Sequence, residues 1–201
     1  MSNFYPGWLG LTDPNSEFNA LHFIIQQALS KVRTAVPVKV VTVNAGSAQD
    51  QFTVDVQPLI NQTDGQGNSK PHGTIYGVAV ANLSGANGSV SIAPAANDLG
   101  LILVCDRDIS SAYAAKGVAN PGSRRMHDMS DSIYIGGFGA MNTSAHQVLI
   151  ASAGITINST KTVTINAPDG VTVNAAGGAT INASGGVSIT GNVNVTGNIS
   201  N

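Results

Sequence analysis

Between residues 154 and 193 one pattern recurs five times: GITINSTK, TVTINAPD, GVTVNAAG, GATINASG and GVSITGNV. Ile155, Val163, Val171, Ala179 and Val187 stand eight residues apart, and Ile157, Ile165, Val173, Ile181 and Ile189 follow two places behind them. Thr156, Thr164, Thr172, Thr180 and Ser188 lie between. Each unit therefore reads as a short apolar/polar/apolar strand whose β-branched side chains alternate between two faces. Asn158, Asn166, Asn174 and Asn182 close the strands, and small residues with Gly177, Gly178, Gly185 and Gly186 supply turns at positions where positive φ is cheap. A fixed short period of this kind marks a β-solenoid.

Strand counting decides which solenoid. A three-sided coil with eight residues per side needs about 24 residues, so five octads wound alone give fewer than two coils, short of the roughly three repeats such a core needs. Three chains wound around one another supply about fifteen strands, enough for about five closed layers of three. The expectation is a homotrimeric, triple-stranded β-helix with Thr facing water. Its trimer core is Ile155, Ile157, Val163, Ile165, Val171, Val173, Ile181, Val187, Ile189, Val193, Val195 and Ile199. Burying roughly nine of these Val and Ile side chains, at about 1.5 to 3 kcal/mol each, yields a gross gain on the order of 15 to 25 kcal/mol per chain before entropy, available only in the assembled trimer.

After Ile189 the period falls from eight to six, with Gly191 and Gly197, then Val193 and Ile199, six apart, so the prism should narrow toward the C-terminus. Upstream, Val148 and Ile150 look like an earlier strand but lie seven residues before Ile155 and Ile157, which implies an irregular entry. Strands stacked about 4.8 Å apart give a rod of roughly 30 to 40 Å from residues 147 to 201. Only Lys161 and Asp169 are charged in that span.

The remaining sequence divides the chain into a 1–35 arm and amphipathic helix, a 36–140 barrel and a 141–201 needle. With 42% hydrophobic, 10% charged and 5% aromatic residues among 201, the composition fits neither a membrane protein nor a disordered one. No apolar run approaches the roughly 18 residues of a membrane-spanning helix. MSNFYPGWLG has no basic region followed by an apolar run, so synthesis and assembly in a cytoplasm are expected. One cysteine, Cys105, rules out an intrachain disulfide, and a net charge of −2 gives no electrostatic reason to expect nucleic acid as a partner.

Residues 15 to 34, NSEFNALHFIIQQALSKVRT, place Phe18, Leu21, Ile25 and Leu29 at helical spacing behind a candidate cap at Asn15 or Ser16, and Pro37 bars continuation. From Val36 to about Ile135 the period becomes two, in VPVKVVTVNA, QFTVDVQPLI, GTIYGVAVANL, GSVSIAP, GLILVCD and DSIYIGGF. DGQGN, SGANG and PAAND separate some of them as turns. Five or six strands in about 100 residues predict a small antiparallel barrel of the oligonucleotide/oligosaccharide-binding (OB) type. The expected class is all-β: an N-terminal helix, an OB-type β-barrel, and a C-terminal trimeric triple-stranded β-helix.

Residues 98 to 138 carry a resemblance. A strand ending in CDRDIS, an Ala/Gly loop, and NPGSRRMHDMSDS before another strand resemble the barrel domain of the central spike proteins of contractile phage tails, the phage Mu spike type included. In that family the barrel precedes a trimeric β-helix of short repeats. The resemblance implies a non-enzymatic virion protein beneath the baseplate hub, in contact with hub or tail-tube proteins, driven into the host outer membrane when the sheath contracts. Many such spikes end in a His-x-His pair that holds an apical iron, whereas this chain ends GNVNVTGNISN and its histidines are His22, His72, His127 and His146. No metal or cofactor carries over. The expectation is either a separate tip protein over the C-terminal end or further residues beyond Asn201.

Other constellations have sharp and bland readings. Asp106, Arg107 and Asp108 could hold calcium, but no Gly-bearing acidic loop follows, and a turn held by local ion pairing is favoured. Arg124, Arg125, His127, Asp128 and Asp131 could be catalytic, yet no nucleophile with a base stands out, and a structural loop clasping a neighbouring subunit or the shaft entry is favoured. Gly136, Gly137 and Gly139 form no nucleotide fingerprint. Cys105 reads as a small buried hydrophobe, and the Thr/Asn columns as a solvated β face rather than a sugar or ice surface. The alternative function is a trimeric adhesin or tail-fibre fragment binding surface polysaccharide. Against it, the rod has no aromatic residue and one acid after residue 147.

Overall fold

The computed structural model describes residues 17–46, 52–64, 66–137, 142 and 144–197. The chain separates into two units, Met1–Ser144 and Ala145–Asn201.

In the first unit, α1 (Glu17–Leu29) begins with an acidic residue in its first turn, where a negative charge meets the positive end of the helix dipole. It closes by tightening: the Lys31 and Val32 amides donate to the Ala28 and Leu29 carbonyls three residues back (3.2 and 3.0 Å). The candidate cap at Asn15 or Ser16 lies outside the described residues. None of the helix is buried; Phe18, Leu21, Ile25 and Leu29 are 75, 58, 46 and 57% exposed. Among the described residues no helix is long and apolar enough to cross a membrane.

The strands follow in chain order as β1 (Ala35–Ala45), β2 (Phe52–Pro58), β3 (Gln62–Thr63), β4 (Ser69–Lys70), β5 (Ile75–Val80), β6 (Leu83–Gly85), β7 (Gly88–Val90), β8 (Leu99–Val104) and, after α2 (Ser110–Ala115), β9 (Ser132–Gly136). Five of them close a barrel in the order β1-β2-β5-β9-β8, an OB-like arrangement, with β3-β4 and β6-β7 as separate two-stranded hairpins. Alternate residues point inward, and Val38, Val40, Val54, Val56, Ile75, Val78, Ile102 and Tyr134 form the core. That is the period-two pattern of β-branched residues converted into one buried face.

Two expectations need correction. The barrel is not wholly antiparallel, because β5 pairs with β9 in parallel, Ala79 opposite Ile133 and Val80 opposite Tyr134. Parallel neighbours need a long crossover, and the β6-β7 hairpin, β8 and α2 supply it. The GSVSIAP segment also stays out of the barrel. Pro94 has no N–H to add to a ladder, and only Gly88–Val90 pairs, with β6, every residue of both strands being exposed.

Three bulges tune the barrel, one of them on β5, where Ile75 and Val78 pair with Val56 and Val54. Val40 pairs with Val56 and Thr42 with Asp55, so Val41 has no partner opposite it. This resets the alternation: Val40 is buried, Val41 is 42% exposed, and Val43 packs against the core again. On β9, Gly136 pairs with Leu101 and Tyr134 with Ile102, leaving Ile135 as the extra residue. Beside this bulge a Cβ on Gly100 would lie 2.5 Å from the Gly136 carbonyl oxygen and 2.6 Å from the Tyr134 ring. Glycine at position 100 lets the tyrosine fold over β8.

The second unit opens with β10 (His146–Ala151) and β11 (Gly154–Ser159), an antiparallel hairpin. Val148 faces Ile157 and Ile150 faces Ile155, which puts all four apolar side chains on one face. The irregular entry expected from the seven-residue offset is thus a tight reversal at Ser152 and Ala153. From Thr162 to Thr196 the described backbone forms no ladder within the chain; it is extended and broken at regular intervals. The Gly170, Gly178 and Gly186 amides donate to the Ala167, Ala175 and Ala183 carbonyls at 2.9, 3.0 and 3.0 Å. These glycines have φ of 103, 92 and 85°, so the octad turn is a β-turn finished by a left-handed glycine, repeated every eight residues. Gly191 and Gly197 continue with positive φ at the shorter period of six.

Candidate functional site

Two features carry chemistry or assembly: a charged clasp on the barrel unit and the apolar columns of the C-terminal unit. The clasp is built where α2 and the loop before β9 meet. Asp108 stands just ahead of α2, and its Oδ1 accepts from the Ser110 amide (2.9 Å) and hydroxyl (2.6 Å). Arg125 arrives from the NPGSRR segment. Its Nη2 donates to Asp108 Oδ2 at 3.1 Å, and Nη2 and Nε donate to the two Asp131 oxygens, both at 3.0 Å. Asp108 and Asp131 are 6 and 2% exposed, so one bidentate arginine compensates two buried carboxylates. Gly122 lets the loop pass close: a Cβ there would lie 2.3 Å from Ser110 Oγ. Asp128 makes its own turn, accepting from the Ser130 amide and hydroxyl.

The electrostatics follow from these bonds. The Ser110 hydroxyl first, then the Ser123 hydroxyl, the Ser110 amide and Arg125 hold the Asp108 carboxyl far below the ordinary carboxylate range. The Ser130 hydroxyl and amide lower Asp128, and hydrogen bonding to Asp131 raises Arg125. A carboxylate held so firmly in its ionised form is a weak base, so Asp108 does not activate the Ser110 hydroxyl that donates to it. Its lone pairs are also committed, which leaves it poorly placed to ligate calcium. An open cleft of about 250 Å³ beside the clasp is lined by Gly77, Ala79, Ile109, Tyr113 and Ser132 among others. The arrangement ties a loop to the barrel wall.

Of the cluster singled out in the sequence, the structure brings Arg125 and Asp131 together and adds Asp108 and Ser110. Arg124 takes no part in the bonded clasp. His127 sits nearby at φ 50°, its amide donating to the Asp106 carbonyl at 3.4 Å. The other histidines are dispersed: His22 stacks on Phe18, His72 contacts Gln62, and His146 contacts Ser159 across the β10-β11 hairpin. Cys105 is half-buried rather than buried, and burial with the nearby Asp106 and Asp131 charges pushes its thiol up. Sequence reading treats the Ala-rich segment as a loop, whereas residues 110–115 form α2, ended by a left-handed Lys116; the glycine that follows an alanine run was the signal. It also misses Asn142, whose amide accepts from the Leu99 N–H (2.9 Å) and donates to the Leu99 carbonyl (2.7 Å), a side chain standing in for a strand neighbour.

The columns behave differently. Ile155, Ile157, Val163, Ile165, Val171, Val173, Ile181, Val187, Ile189, Val193 and Val195 are all between 50 and 75% exposed in the single chain. Ile199 lies outside the described residues, as does Gly139. Eleven large aliphatic side chains in register, unburied by their own chain, form an apolar surface far beyond the scattered exposure of ordinary monomers.

Residues 36–137, just over half of the chain, match the model of the phage protein Gp138 N-terminal domain, and the chain belongs to that family. No curated protein matches it.

Proposed function

We propose that this phage protein is the central spike of a contractile tail, related to the Mu spike type. In this reading it is a non-enzymatic homotrimer whose C-terminal unit is a triple-stranded β-helix that crosses the host outer membrane when the sheath contracts. One observation carries the reading: a phage barrel domain is followed by eight-residue apolar columns that a single chain leaves exposed. The periodic turns at Gly170, Gly178 and Gly186 are spaced for three chains to wind together, each contributing one strand per layer. In such a prism the ladder partners missing within one chain come from its two neighbours, and a closed section leaves no lateral edge. A rod of this kind resists axial load because no chain can peel away alone. The barrel ring faces the hub or tail tube, and the clasp of Arg125, Asp108 and Asp131 fixes the loop before β9 on each protomer.

Solution mass and location test the reading. Sedimentation should give a species about three times 20.4 kDa that persists in detergent, and an antibody against residues 154–193 should label the distal end of the baseplate in electron micrographs. Labelling along lateral fibres, with retention of the protein on host polysaccharide, would favour the adhesin. A monomer at micromolar concentration would refute both.

A further inference from the structure

The first octad differs from those after it in having a ladder partner within its own chain. β10 pairs with β11 along its whole length, from His146 opposite Ser159 to Ala151 opposite Gly154, whereas the described backbone from Thr162 to Thr196 has no such ladder. The pairing is antiparallel, so Val148 and Ile150 leave the sheet on the face that carries Ile157 and Ile155, while Gln147 and Leu149 share the other face with Asn158 and Thr156. These four aliphatic side chains are between 64 and 76% exposed in the single chain. The hairpin thus carries the apolar columns one strand further back than the octad period reaches. It does so with the chain direction reversed.

We infer that the three β10 strands close the N-terminal end of the prism, with Val148 and Ile150 packed inside against two further copies of the chain, and that this layer fixes the register in which the chains wind. The inference rests on the triple-stranded reading given above. The occupant follows from continuity: a hairpin whose Ile155 and Ile157 turn toward the neighbouring chains turns Val148 and Ile150 the same way. The register role follows from the repeat itself. GITINSTK, TVTINAPD and GVTVNAAG present nearly interchangeable apolar positions, so a chain displaced by one octad would still bury most of its columns. In a prism wound from three chains each octad moves to the next face and one strand spacing, about 4.8 Å, along the axis. β10 leaves that path. It folds back over β11 and takes the ladder position before the first octad on the same face. A chain slipped backward by one octad would have to place β11 where a neighbour's β10 lies, and one slipped forward would have to place β10 where a neighbour's β11 lies. Two strands cannot share one position, so only the unslipped register closes. The hairpin also pairs the leading edge of the first octad, so that further strands add in one direction alone.

The test uses the full-length chain with Cys105→Ser and a nitroxide on Thr172→Cys, which leaves the third octad on its outer face. In register the three labels sit on three different faces. After a slip of one octad two labels lie in adjacent strands of one face, about 4.8 Å apart and within range of spin exchange. Val148→Asp/Ile150→Asp charges the inner face of β10, and Gln147→Asp/Leu149→Asp puts the same charge on its outer face; each sample is first sized by sedimentation. The expected result is a trimer without spin exchange for the parent and the outer-face variant, and a trimer whose spectrum gains an exchange-narrowed line for the inner-face variant. An inner-face variant that stays trimeric without exchange, or equal dissociation by both variants, overturns the inference and leaves the needle reading standing. Dissociation of the inner-face variant alone overturns the register role, because the layer would then be required for assembly itself. A monomeric parent overturns both readings.

Discussion

Replacing Val171 by Asp tests the assembly argument most directly. Val171 lies in the third octad, with two octads on either side, and is 61% exposed in the single chain. Full burial of a Val or Ile side chain is worth about 1.5 to 3 kcal/mol, so closing the remaining exposure at this position gives about 1 to 2 kcal/mol per chain. Three chains lose about 3 to 6 kcal/mol from burial alone, a fall of roughly two to four decades in the trimer equilibrium. Three carboxylates confined in one dry layer add several kcal/mol of desolvation cost each. Thr172→Asp is the control, since its side chain leaves the opposite face of the same strand. It adds the same charge one residue away but keeps it in water. Sedimentation velocity at micromolar concentration should show Val171→Asp as monomer and Thr172→Asp as trimer. Trimeric Val171→Asp with an unchanged melting profile, or equal dissociation by both variants, would refute the assignment of that column to the interior.

The remaining predictions concern the barrel unit. The Asp108 carboxyl is depressed from an ordinary value of 3.8 in the folded state, so its contribution to stability is fully present above that value and is lost as pH falls below it. Circular dichroism melts should therefore show a midpoint flat near neutrality that drops below about pH 4, and Arg125→Met should lower the neutral midpoint. A drop beginning near pH 6 would point to a histidine instead. Gly100→Ala forces a Cβ against Tyr134 and the Gly136 carbonyl, and overpacking of this kind costs about 1 to 3 kcal/mol. That lowers the barrel midpoint by about 4 to 8 °C per kcal/mol; an unchanged midpoint would exclude the close approach. Asn142→Ala removes both bonds to Leu99 at about 1 kcal/mol in total for a solvent-exposed pair, and the Leu99 amide should exchange with solvent about five times faster.

The barrel was legible because its signal is local. Val38, Val40, Val54 and Val56 alternate in the sequence as they do in the wall, whereas the turn-forming DGQGN and SGANG segments belong to the two small hairpins β3-β4 and β6-β7 outside it. What escaped depended on partners distant in sequence. The parallel β5-β9 joint is a topological fact with no residue signature of its own, and the Val41 bulge shows only as a doubled valine. The clasp was half legible. Asp108 in CDRDIS and Arg125 in NPGSRRMHD belong to the two motifs that mark the family resemblance, and the structure joins them across seventeen positions. Asn142 gave no signal, since a single amide has no period.

The two units hold their apolar residues on opposite terms. Every described core residue of the barrel, from Val38 to Tyr134, is buried by its own chain, so that core needs no residue from a second chain. Among the described residues no column residue of the C-terminal unit is buried by its own chain, so on the proposed assembly its order depends on concentration through mass action. On that assembly the barrel can fold first within each chain, leaving the columns to meet afterwards. The octad composition fits that sequence of events. Asn, Ser and Gly keep the unassembled segment solvated, the left-handed glycines set its turns in advance, and the near absence of charge leaves little repulsion between chains once the columns meet.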